Sequence, residues 1–274
     1  MTSPETSPET SPETSPETSP EVKPETNSET NSEMPYRLGL PAWAFPGWRD
    51  KYFSDSPSML ANYASVFNTV EGNTTFYSTP ECSTVRKWLQ ALDGKNFKFC
   101  FKLPRTITHQ PQSDSRVLED FLANISLLSD YTGSFLLQFP AWVEIDHLKR
   151  MDQVFESIAQ HGGACVEVRN KRLFTHPELL EPLLQHYGFG RVMLDSRALF
   201  QGDLSHPEVQ AAVHEKPDVP VLNSVYNNLI FVRLILHPEK QYNEQAVEYW
   251  ARKTAVWIDQ GLQPTIMIHC PNNA

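Results

Sequence analysis

Eight short apolar segments, each running out into polar or charged residues, punctuate the chain: Arg37–Trp43, Thr69–Tyr77, Lys98–Pro104, Ser134–Pro140, Ala164–Asn170, Arg191–Arg197, Leu229–Leu236 and Pro264–Cys270. Most are separated by stretches with apolar residues at helical spacing, so strand and helix alternate as they do around a parallel sheet. Eight such strands predict an α/β fold of the TIM-type (β/α)8 barrel class, whose working surface lies at the carboxyl ends of the strands. Glu71, Asn73, Lys102, Arg105, His109, Gln138, Glu167, Arg169, Asp195, Arg197, Arg233, His237 and His269 gather at those ends.

The intervening periodicity predicts helices over Met59–Phe67, with Ser58 as its cap, over Cys82–Leu92, with Val85, Trp88 and Leu89 on one face, and over Leu148–Ile158 and Glu178–Tyr187. Leu118–Leu128 places Leu118, Phe121, Leu122, Ile125 and Leu128 on one stripe, and Glu244–Ile258 does the same with Val247, Trp250, Ala251, Thr254 and Trp257. Between strands six and seven Pro207, Pro217 and Pro220 interrupt the pattern, which predicts a long irregular crossover of the kind that carries function. The closing eighth helix is absent, leaving Ile266, Ile268 and Cys270 without cover if His269 points inward. A helix burying about 400 Å² contributes on the order of 10 kcal/mol, as much as a domain's net stability of about 5–15 kcal/mol. The expectation is a truncated or marginally stable chain, or one covered there by a partner or second subunit.

Composition divides the 274 residues into two parts. Residues 1–33 are a Thr-Ser-Pro-Glu repeat with almost no apolar side chains, predicted to be a disordered acidic tail. Two origins for it stay open: an arm with a role of its own, or upstream sequence preceding a translation start at Met34. The tail holds eight of the 33 acidic and one of the 23 basic residues, leaving 25 against 22 in residues 34–274. Those 241 residues suit a single barrel domain of about 250, and their near-neutral balance argues against a strongly basic nucleic-acid surface. Without a leader-like apolar segment or a membrane-length apolar run, a cytoplasmic location is expected. Cys82, Cys100, Cys165 and Cys270 are too widely spaced to suggest a disulfide framework or a zinc knuckle.

Side chains alternate across a strand, so Glu71, Asn73 and Thr75 share one face, as do Cys100 with Lys102, Glu167 with Arg169, and Asp195 with Arg197. Val70, Phe99, Phe101, Val166, Val168 and Met193 are assigned to the opposite, helix-facing side. A ring of Glu71, Lys102, Glu167, Arg169, Asp195, Arg197 and Arg233 then surrounds one cavity, where buried charges must pair or meet a ligand. A network of ion pairs that pins strand register would explain the ring. So would an anion site, because arginine's planar fork suits carboxylate and phosphate. Glu71, Glu167, Asp195, His109 and His269 are the candidate acid and base groups. Those carboxylates with His269 could also ligate manganese, magnesium or zinc, but no metal-binding spacing supports this and the arginines compete for the carboxylates, so no metal site is assigned. Trp43, Phe45, Trp48, Phe76, Tyr77 and Phe139 form an aromatic rim, from which Trp43 and Tyr77 are the candidates for stacking on a ligand. No glycine-rich phosphate loop is present.

Five separated motifs resemble the YecE-like proteins, domain of unknown function 72. They are Gly39-Leu40-Pro41-Ala42-Trp43 with Trp48; Thr69 through Tyr77; Phe99 through Arg105 with Thr108-His109; Leu137-Gln138-Phe139-Pro140; and Val166-Glu167-Val168-Arg169. The resemblance runs from about Tyr36 to the end and implies a TIM-type barrel without supplying an activity. It also implies polar site positions at Glu71, Asn73, Lys102, His109, Gln138, Glu167, Arg169, Asp195, Arg233 and His269. Two departures stand out: Asn170 where a histidine is common, and the lack of the helix that follows Pro271-Asn272-Asn273 in the family.

The leading expectation is an enzyme binding a small anionic substrate, phosphorylated compounds included, clamped by Lys102, Arg169 and Arg233 with Glu71 or Glu167 as base, the reaction and any cofactor being unspecified. Arg105, Gln138 and Arg197 are further ligand-binding candidates. The alternatives are a nucleic-acid-binding or nuclease-like protein, whose affinity would fall steeply with salt, and a truncated, inactive family member.

Overall fold

The computed structural model describes residues 34–48, 58–110 and 115–271. The tail expected at residues 1–33 lies outside them. Each strand overlaps a segment that the apolar pattern marks, and all but β6, which begins one residue early, lie wholly within it: β1 Arg37–Gly39, β2 Thr69–Gly72, β3 Lys98–Phe101, β4 Phe135–Phe139, β5 Ala164–Val168, β6 Gly190–Asp195, β7 Phe231–Ile235 and β8 Thr265–His269. They form an α/β fold whose ladders are parallel, in one piece of order β1-β8-β7-β6-β5-β4 and a second piece pairing β2 with β3.

The interruptions between the two pieces have local causes. Between β1 and β2, side chains replace part of the backbone ladder: Leu38 N donates to Asn68 Oδ1 at 2.8 Å, and Tyr63 Oη accepts from Leu40 N and donates to Thr69 O, both at 2.8 Å. A Cβ on Gly39 would sit 2.2 Å from Thr69 O, so only glycine permits this approach. Between β3 and β4 two isolated parallel bridges, Phe99 with Thr132 and Lys102 with Leu136, and the bonds from Gly133 N to Phe99 O (2.8 Å) and from Leu103 N to Leu136 O (3.1 Å) make the contact.

The helices are α1 Met59–Tyr63, α2 Thr74–Tyr77, α3 Cys82–Ala91, α4 Arg105–Thr108, α5 Ser115–Ile125, α6 Leu148–Ala159, α7 Lys171–Thr175, α8 Glu181–Tyr187, α9 Arg197–Gln201, α10 Pro207–Ala212 and α11 Glu244–Asp259. Ser58 caps α1, its Oγ accepting from Ala61 N at 3.2 Å. The predicted stripe on α5 is buried throughout, with Leu128 just beyond the helix. On α11 the buried face is Ala246, Trp250, Thr254 and Trp257, whereas Val247 and Ala251 are exposed, so the stripe lies rotated from its expected position. Pro207 does not break structure: it opens α10, where its missing N–H costs nothing. Four strands, β2, β3, β5 and β6, run at their carboxyl ends into the short helices α2, α4, α7 and α9, which periodicity did not reveal. The β8 strip is less bare than expected, since Ile266 packs with Trp250 and Trp257 under α11. Ile268 and Cys270 are half-buried.

Two apolar layers flank the sheet. The larger one lies between strands and helices. The smaller is a cluster of Cys100, Leu136, Cys165, Val192 and Phe231 with Met267, one residue from each of β3 to β8. Cys82, Cys100, Cys165 and Cys270 are all free thiols. No helix among the described residues is long and apolar enough to cross a membrane.

Candidate functional site

Two residues further along five of these strands, alternation puts Lys102, Gln138, Glu167, Arg233 and His269 directly above that cluster, and Glu71 joins them two positions after Thr69 of β2. All six are buried. Arg233 is the hub. Its Nε and Nη2 donate to Glu71 Oε2 and Oε1 at 2.9 and 3.0 Å, and its Nη1 donates to Glu167 Oε2. Glu167 Oε1 also accepts from Gln138 Nε2 at 2.6 Å and Arg169 Nε at 3.1 Å. His269 Nε2 lies 3.1 Å from Glu71 Oε2, and because a carboxylate only accepts, that nitrogen carries the proton.

The electrostatics follow from this wiring. Burial alone would raise the pKa of Glu71, but Arg233, then His269 and Lys102, outweigh it and pull the carboxyl well below its usual range. Glu167 is brought to about 2 by Arg233, Arg169 and Lys102 against the same burial penalty. Both therefore stay ionised, which makes them poor proton acceptors near neutrality. Burial, followed by Arg233, lowers Lys102 to about 8 despite Glu71 and Glu167. His109 is lowered to about 4 by burial and by Lys102, Arg169 and Arg105. Burial likewise lowers His269.

Other expected members are elsewhere. Asp195 has the strand parity of Met193, which packs with Trp250, and so faces the helices. There its Oδ2 accepts from Trp250 Nε1 at 2.7 Å, and both of its oxygens are taken by the Arg197 side chain at 3.0 and 2.7 Å. The ring expected from sequence is corrected accordingly: Asp195 and Arg197 form a separate pair, and Leu194 is the β6 residue with the parity of Val192. Arg233 is likewise no free clamp, because both of its carboxylate partners are already bound. Asn73 Nδ2 donates to Pro41 O at 3.0 Å, a loop tie. Trp43 packs edge-on to Trp88 and Phe99 at 5.3 and 5.9 Å, within the core wall. Arg105 and Tyr77 are exposed. His237 is buried, with Nδ1 accepting from Glu239 N and Nε2 3.1 Å from Asp203 O. Asn170 caps α7 by accepting from Arg172 N and Leu173 N at 2.9 and 3.3 Å.

The sequence reading missed Lys216. It lies in the irregular crossover beyond α10, where no periodicity marks a side chain's direction, and the charges of Arg233, Arg169 and Glu71 all act on it. Glu215 O beside it accepts from Arg169 Nη1 at 3.4 Å, tying this segment to the site. Among the described residues no group of three or more His, Cys, Asp or Glu side chains is placed to hold a metal ion.

Known proteins match this chain over most of its length. The UPF0759 protein YecE of Escherichia coli K12 is 32% identical over 243 residues, 86% of this chain and 87% of that protein. A crystal structure of a DUF72 family protein from Enterococcus faecalis V583 superposes with a TM-score of 0.66 at 18% identity, covering 87% of this chain and 90% of that one. A DUF72 family protein from Thermotoga maritima MSB8 gives 0.56 at 16% identity, covering 86% and 92%. Residues 37–274 match the family model described as "Protein of unknown function DUF72", and the chain belongs to that family.

Proposed function

We propose that the eight strands close into a single (β/α)8 barrel domain over residues 34–274 and that its carboxyl-end mouth binds a small anionic substrate, making the protein an enzyme. Closure is supported by β1 pairing with β8, by the bond from Glu71 N to Leu40 O at 3.0 Å, and by the Lys102–Leu136 bridge. The observation that carries the anion reading is a charge imbalance. The four cations Lys102, Arg169, Lys216 and Arg233 face three carboxylates: Glu71 and Glu167, both already gripped by Arg233, and Glu215, which acts on Lys216. Among the described residues Lys102 and Lys216 make no salt bridge, and an anion docking beside them and Arg169 offsets the excess.

Calorimetry with inorganic phosphate tests this. A charge-assisted hydrogen bond is worth about 1.5–3 kcal/mol, so Arg169→Met or Lys216→Met should weaken binding roughly tenfold to a hundredfold. Arg252→Met, on the exposed face of α11, should leave it unchanged. Absence of binding by the native chain, or equal binding by Arg169→Met, sinks the reading.

A further inference from the structure

Anion binding alone does not account for the setting of one group at the mouth. Lys102 is only 7% exposed, its Nζ lies 4.1 Å from the centroid of the Phe76 ring, and that nitrogen makes no hydrogen bond or ion pair among the described residues. It is also not one of the sealed, unpartnered polar atoms, which are Arg150 Nη1, Arg191 Nη1 and Thr254 Oγ1. A lysine serving only to balance charge would bond Glu71 or Glu167, but Arg233 occupies both. Instead Lys102 keeps a free nitrogen in a crowd of cations, and burial with Arg233 lowers its pKa to about 8. The His109 ring meets the same Phe76 ring edge-on at 4.9 Å and is held neutral at pH 7. A desolvated amine near other cations is the condition under which lysine becomes a nucleophile toward carbonyl carbon.

We propose that Lys102 forms an imine with a small oxo-compound whose carboxylate or phosphate is held by Arg169 and Lys216. This rests on the anion-binding reading above. The neutral Nζ adds its lone pair to the carbonyl carbon, and the carbonyl oxygen takes a proton to become a hydroxyl. The nitrogen sheds a proton to solvent. The hydroxyl then leaves as water with a returned proton as the carbon–nitrogen double bond forms, and the nitrogen's second proton passes to solvent. Amine and carbonyl become imine and water, with no oxidant or reductant consumed.

The test incubates the full chain with pyruvate, or with glycolaldehyde phosphate, in the presence of sodium borohydride, and locates reduced adducts by peptide mass spectrometry. Lys102 should be labelled on the order of tenfold or more faster than the exposed Lys87 and Lys171. Lys102→Arg, with its fold checked by near-ultraviolet circular dichroism, should lose that adduct alone. Preference between the two probes identifies carboxylate or phosphate as the anion. No preferential adduct at Lys102 with either probe overturns the imine. Phosphate calorimetry on the same sample separates the two readings: binding without an adduct removes only the imine, and an adduct without phosphate binding or competition removes only the anion site.

Discussion

Arg233 and Glu71 meet through two parallel hydrogen bonds of 2.9 and 3.0 Å across 162 positions of sequence, joining β7 to β2 inside the site. Breaking a buried ion pair from one side leaves a charge without compensation, at a cost of about 3–5 kcal/mol. Arg233→Met strands Glu71 and Glu167 together and should destabilise by at least that amount in urea unfolding. A loss under about 1 kcal/mol would show that the pair contributes little to the fold.

The same wiring sets an acid limit. Glu71 and Glu167 have lower pKa values folded than unfolded, so their stabilisation is fully present above the ordinary glutamate value of about 4.3. It is lost as pH falls through the folded value, about 2 for Glu167. His269 acts earlier, because its buried ring resists protonation while the unfolded chain takes up a proton near pH 6.5. Stability should therefore decline from about pH 6.5 toward pH 2. In urea midpoints measured against pH, His269→Gln should flatten the upper part and Glu167→Gln the lower part. An unchanged acid limb in both variants would refute the assignment.

Lys102 should be a liability for stability. Its folded pKa of about 8 lies below the unfolded value of about 10.4, so wild-type stability rises with pH across that interval as the unfolded chain retains the proton longer. Lys102→Met should be more stable than wild type at pH 7, by about 3 kcal/mol. The gap should close between pH 8 and pH 10. A less stable Lys102→Met at pH 7 would mean that the amine is a structural partner after all.

Asp195→Asn should separate structure from site. The change weakens the bonds from Arg197 and Trp250 while leaving the mouth's charges alone. The expectation is a loss of about 1–3 kcal/mol in thermal or urea unfolding with phosphate affinity unaltered. A tenfold change in affinity at equal stability would place Asp195 back in the site.

Much of this was legible because strands impose a period of two. Given eight apolar segments, parity alone groups Glu71, Lys102, Glu167 and Arg233 on the face where the structure brings them together, with Gln138 and His269 beside them. Asp195 fails for an instructive reason: it shares parity with Met193, so a strict count from that apolar residue directs it to the helices. The stripe on α11 was displaced because Val247 and Ala251 satisfy helical spacing without being on the covered side. Short helices such as α2 and α4 were invisible since four residues cannot form a stable helix alone and depend on tertiary contacts. Lys216 had no signal at all, because an irregular crossover has no period from which a direction can be read.

The apolar cluster beneath the ring has an electrostatic consequence. Cys100, Leu136, Cys165, Val192, Phe231 and Met267 place a medium of low polarisability under Arg233 and its carboxylates. Charges on such a floor are poorly screened from below, so in the proposed barrel their field would be focused outward through the mouth. A packed and chemically inert layer thus becomes part of how the mouth would attract a charged molecule: filling it with methyl and phenyl groups keeps it dry and keeps that field pointing toward solvent.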